Sequence, residues 1–155
     1  MNGTIIHMSK QEEYLDKLPQ LLLDYQFIEE CLKMYIWRAD VIIHLAAKAK
    51  IYYRGFDTKK LAKLPLGRLT EEFRKRTDRD DLLDLLKKIG DERNFFAHQG
   101  YLLTHEEHKK EHEALQLLSK LDEAKNRSKS FLKELIAETC KVSDETVPEI
   151  IKEMH

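Results

Sequence analysis

Leu21, Tyr25, Ile28, Leu32, Tyr35, Ala39, Ile42 and Ala46 recur at alternating spacings of four and three. That is a heptad seam. It confines the stretch to one long helix running from Pro19 to about Lys50, because a strand period of two would scatter these residues over both faces. Such a seam predicts an antiparallel neighbour, within the chain or in a second copy. Trp37, Ile36 and Ile43 flank it and widen the apolar face beyond a coiled-coil stripe, which favours a bundle. The chain of 155 residues has only 5 Gly and 3 Pro, few for a series of hairpins, and strand-type alternation is hard to find. With 42% hydrophobic and 35% charged residues, the expectation is a single all-α domain over 1–155 that buries a core of its own. Residues 1–8 are weakly patterned and expected to be loose.

Local signals divide the rest. Ser9 and Glu12 form a capping-box pair that can start a short helix. Leu18 precedes Pro19, which disfavours helix at Leu18 and predicts a break there. Gly55 ends the long helix or its connector, and Asp57 or Thr58 can cap a short turn through Leu61. Leu64-Pro65-Leu66-Gly67 reads as a breaker, followed by a helix around 69–76. Asp78 is placed to cap a helix over 79–103, and Thr104 with Glu107 makes a second capping box. The next helix runs to about Lys141 with Leu115, Leu118, Leu121, Phe131, Leu135 and Ile136 as its stripe, weakened at Asn126-Arg127-Ser128. Thr146, Pro148 and Glu149 start a short terminal helix.

The formal net charge of −1 excludes a generally basic coat, so any nucleic-acid contact must be a local patch. Cys31 and Cys140 sit among apolar helical neighbours and make no disulfide framework. There is no signal-peptide pattern and no apolar run of membrane-spanning length, so the expected compartment is the cytoplasm.

The chemistry concentrates in Gly90-Asp91-Glu92-Arg93-Asn94-Phe95-Phe96-Ala97-His98-Gln99-Gly100. Leu82, Leu85, Leu86, Ile89 and Phe96 fall on one face of a helix turning about 100° per residue. Asn94 and His98, four apart, share a face that points largely away from that stripe. Arg93 lies one step round, and its long side chain can reach the same spot. A cation, an amide and an imidazole converging in this way suit an anion. The alternative is a structural network in which the amide and imidazole cap a neighbouring helix end while Arg93 pairs with Asp91 or Glu92. Gly90 is locally costly, by about 1 kcal/mol relative to Ala, and can admit another backbone or a substrate.

The arginine, a four-residue spacer and a histidine, with a polar residue after the arginine, resemble the signature of the HEPN superfamily. The resemblance covers about the middle third of the chain. It implies an HEPN-like antiparallel helical bundle with one long N-terminal helix and short accessory helices. It further implies a metal-independent endoribonuclease needing no cofactor, often the toxin of a toxin–antitoxin or phage-defence pair whose antitoxin can be a nucleotidyltransferase. His98 would move a proton at the 2′-OH or the leaving 5′-oxygen, Arg93 would hold the scissile phosphate, and Asn94 would orient the phosphate or His98. HEPN enzymes place two such motifs across a two-fold axis, which implies a homodimer with a composite cleft. Similar wording occurs in the mannitol-operon repressor family, which implies a non-catalytic regulator or interaction module instead.

Further candidates are secondary. Arg74 and Arg76 belong to the densest basic cluster, with Arg68, Lys75 and Arg79, and are expected either to touch an RNA backbone or to form a solvated face interleaved with acids. Tyr101 is close enough in sequence to His98 to line its pocket, or to serve in core or interface. Phe95 and Leu102 flank His98, where a dimer contact can form; otherwise Phe95 packs on the long first helix. Tyr52 and Tyr53 can stack bases or simply pack. His105, His108 and His112 share a helical face beside Glu111, but the spacing is no recognised zinc motif and no metal site is expected. No phosphate-binding loop, dinucleotide fingerprint, serine triad or paired-cysteine motif is present.

Overall fold

The computed structural model describes residues 8–47, 54–99 and 110–141, with Lys152 beyond them. All regular structure among the described residues is helical: α1 (Lys10–Ala47), α2 (Thr58–Leu61), α3 (Leu66–Arg74), α4 (Asp80–Gln99) and α5 (Lys110–Lys141). The expected all-α class is observed. The loose start, the second capping box and the terminal helix fall mostly or wholly on residues outside this description.

Ser9 closes the start of α1 reciprocally. Its hydroxyl accepts from the Glu12 amide at 3.1 Å, and its own amide donates to Glu12 Oε2 at 2.9 Å. The expected break at Pro19 is absent, and α1 runs straight through that residue. Tyr14 and Leu18, both fully buried, continue the four-and-three spacing into Leu21, so one apolar face spans the proline in register. Burying those two side chains contributes about 3–6 kcal/mol, enough to offset the roughly 3 kcal/mol cost of an internal proline. Pro19 itself is exposed.

The seam is buried from Tyr14 to Ala39, whereas Ile42 is half-buried and Ala46 exposed. Its principal neighbour is α5, and the direction differs from the sequence expectation. Lys17 meets Asp122 at 3.3 Å, Lys125 meets Gln20 at 2.9 Å, and Tyr35 lies close enough to Glu138 to feel its charge. Partner numbers rise together, so α1 and α5 run parallel. The antiparallel member is α4, whose Glu92 takes Arg127 while Lys120 lies over Phe95. Three long helices therefore run up, down and up, and the first and third are parallel because the second makes the return. Ala114, Ala124 and Ser128 of α5 are fully buried; these small side chains permit close approach of the α1 backbone. Leu115 and Ile136, expected in the α5 stripe, are instead about half exposed, and Asn126-Arg127-Ser128 leaves the helix unbroken.

Asp57 caps α2 by accepting from the Lys59 amide at 2.9 Å. The stretch read as a breaker starts α3, with Pro65 as its N-cap. Ahead of α4 it is Thr77, not Asp78, whose side chain accepts from the Arg79 amide. An inward-facing cluster fixes α3 to the C-terminal half of α1. Tyr35 stacks edge-on to Phe73 and donates to the Arg76 carbonyl, and Arg76 grips Asp40 at 2.7 Å. No described helix is long and apolar enough to cross a membrane.

Candidate functional site

α3 and α4 diverge around a cleft of about 360 Å³, within the size range of small-ligand pockets. Its cations are Arg74 from α3 and Lys87 and Arg93 from α4; Asn94 and Thr70 add polar groups, and Glu71 and Asp91 supply the acids. The charge balance leaves one excess cation, since Glu71 lies only 3.9 Å from Arg74. Gly67 and Gly90 also line the cleft. A Cβ built on either would meet nothing within 4 Å, so neither glycine is imposed by a packed neighbour. Both keep a helix wall flat where the cleft opens.

Arg93 keeps its charge available. Among the described residues it forms no ion pair, and its polar contact is Asn94 Oδ1 at 3.4 Å. The acid that precedes it is committed elsewhere: Glu92 Oε1 accepts from Arg127 Nε at 2.7 Å, toward the bundle interior. Pairing of Arg93 with Asp91 or Glu92, part of the structural alternative, is therefore not what forms. Glu92 and Arg127 tie α4 to α5, and the Tyr25 hydroxyl of α1 is buried close enough to feel both charges, with no hydrogen bond to either. Burial, reinforced by the Glu92 charge and opposed by that of Arg127, holds the Tyr25 hydroxyl well above the usual tyrosine range. The neighbouring Glu72 is held below the usual carboxylate range; burial opposes this, but hydrogen bonds from Lys75 and Arg76 outweigh it.

The other candidates separate clearly. The His98 side chain is exposed, one helical turn past Asn94, and does not line the cleft. A turn is about 5.4 Å of rise, so a ligand filling the cleft has to extend toward the C-terminal end of α4 to reach the imidazole. Arg74 lines the cleft, 3.9 Å from Glu71. Arg76 does not: its side chain is 7% exposed and is consumed by Asp40 and Glu72. It secures α3 to α1 and is no surface contact for a ligand. Phe95 is partly buried against the core, under the Lys120 ammonium of α5 and edge-on to Phe96. Tyr101, Leu102, Tyr52, Tyr53, His105 and His108 lie outside the described residues. His112 is exposed beside Gln116, and no group of possible metal ligands occurs among the described residues.

Sequence reasoning missed Lys87, Thr70, Glu71 and Gly67. Lys87 had a usable signal: it lies three before Gly90 and seven before Asn94, the spacing of a single helical face. Gly67 had none, because the stretch opening α3 looked like a loop; Thr70 and Glu71 lay inside the helix expected around 69–76, but nothing local turned them toward α4.

No protein-family model, curated protein or solved structure matches this chain.

Proposed function

We propose that this chain is a metal-independent endoribonuclease acting at the end of α4 that carries Arg93, Asn94 and His98. The observation that carries the proposal is that Arg93 faces an open cleft with no acid paired to it, in company with Arg74 and Lys87. An unneutralised guanidinium in a cleft whose cations outnumber its acids by one is suited to a phosphodiester backbone. In the proposed reaction the 2′-oxygen of the substrate attacks the adjacent phosphorus, and the bond from phosphorus to the 5′-oxygen breaks. His98 takes the 2′-hydroxyl proton or protonates the leaving oxygen, Arg93 stabilises the charge on the phosphoryl oxygens, and Asn94 orients the phosphate. Use of the 2′-hydroxyl as nucleophile would confine cleavage to RNA. The resemblance of the motif to HEPN enzymes supports this assignment, together with a cytoplasmic toxin or phage-defence role, a homodimer and an antitoxin of nucleotidyltransferase type.

A second reading is a binding-only regulator resembling the mannitol-operon repressors. It is favoured by the position of His98 outside the cleft lining and by the two acids within it. Incubation of single-stranded RNA with the protein in EDTA separates the two. The nuclease reading expects cleavage that falls at least about 100-fold in His98→Ala and in Arg93→Ala, with helical circular dichroism unchanged. RNA retained without cleavage by the wild type would establish the regulator. Cleavage undiminished in His98→Ala would end the proposed mechanism.

A further inference from the structure

α1 carries a second apolar row on the side away from the core. Leu23, Phe27, Met34 and Trp37 are each at least 50% exposed, and Val41 continues them at 39%. Each lies two positions after a seam residue, about 200° round the helix. With Glu30 filling the gap, they keep the same four-and-three spacing as the buried seam. None belongs to the buried core, though Trp37 and Val41 also border Gly55, Phe56 and Thr58. Monomer surfaces seldom place several large apolar side chains in one register.

We propose that this row is a homodimer interface in which the α1 helices of two copies pair antiparallel about a two-fold axis. The order of side chains selects a second copy as occupant, because it reads nearly the same in both directions. Leu23 and Val41 are aliphatic ends, Phe27 and Trp37 are aromatic, and Glu30 and Met34 lie at the centre. An antiparallel copy sets Leu23 against Val41, Phe27 against Trp37 and Glu30 against Met34, an isologous contact. Charge selects the direction. A parallel pair would set the two Glu30 carboxylates against each other within the seam. The antiparallel pair separates them and brings each near the partner's Lys33, a residue that already holds Glu30 at 2.7 Å within its own chain. The five side chains offer on the order of 500 Å² of apolar surface per copy, the larger part of the roughly 800 Å² that each partner of a specific complex buries. No α1 residue lines the cleft, so each copy keeps a cleft built wholly from its own α3 and α4. The interface gives a surface to the homodimer proposed above, and its test does not depend on whether the cleft cleaves RNA.

Sedimentation equilibrium across the micromolar range tests the interface. The wild type is expected to be a dimer, and Phe27→Asp/Trp37→Asp a monomer with undiminished helical circular dichroism, since both side chains are already exposed in the protomer. Cysteine pairs test the register in a Cys31→Ser/Cys140→Ser background. Leu23→Cys/Val41→Cys should form an inter-subunit disulfide on mild oxidation, and Leu23→Cys alone should not. A wild type that remains monomeric would leave the row to some other protein and overturn the proposal. So would a dimer that survives the double aspartate variant, or cross-linking by Leu23→Cys alone.

Discussion

Gly90 is a residue whose helix would be better served by alanine. It sits inside α4, and an added Cβ meets no atom within 4 Å. Gly90→Ala should therefore stabilise the fold by about 1 kcal/mol, an increase of roughly 2–4 °C in Tm for a chain of this size. The same methyl group would project into the cleft, so on the function proposed above RNA affinity should fall as the melting temperature rises. A thermal melt paired with a binding titration checks both halves. Single residues were legible in the sequence where local spacing decides their fate. Asn94 and the apolar stripe of α4 followed from helical period alone. Arg76 was not, because Asp40, its partner, lies 36 residues earlier. No neighbour of either residue announces the pairing.

At the level of elements, what could be read was apolar period, and what misled was local backbone preference. The capping box of α1 and the heptad seam were both legible. Pro19 was misread because a proline is judged by its immediate neighbours, whereas Tyr14 and Leu18 bury the same helix face on its N-terminal side. Pro19→Ala restores an amide to the turn and removes the ring's clash with the Leu15 carbonyl. It should raise stability by about 1–3 kcal/mol, seen as a later urea midpoint with an unchanged slope. The start of α3 was hidden in the same way: Pro65 and Gly67 suggest a turn, but Leu66, Leu69 and Phe73 bury one face. The parallel course of α1 and α5 was not legible at all. A seam specifies which face is covered and not the direction of what covers it.

For the molecule as a whole, the ionic groups predict a stability that narrows at both ends of the pH scale. Hydrogen bonding by Arg79 holds Asp81 below its ordinary carboxylate range, and bonds from Lys75 and Arg76 hold Glu72 below 4.5 despite its burial. The unfolded chain takes up those protons first, so stability should decline as pH drops below about 4.5. Burial raises the Tyr25 and Tyr35 hydroxyls above their ordinary 10.0. Unfolded tyrosines ionise from there upward while the buried ones stay protonated, so stability should also decline above pH 10. Urea melts from acid to alkali should trace both limbs, and Tyr25→Phe should flatten the alkaline one alone.

The parallel pairing also bears on how the chain is made. Lys17 finds Asp122 across 105 positions of sequence, a long separation for helices, which usually fold through near neighbours. On a ribosome adding about 5–20 residues each second, the first helix waits on the order of ten seconds for the last one to emerge. Throughout that interval its inner and outer oily rows are both bare. Newly made protein should therefore lean on chaperones until synthesis has nearly finished.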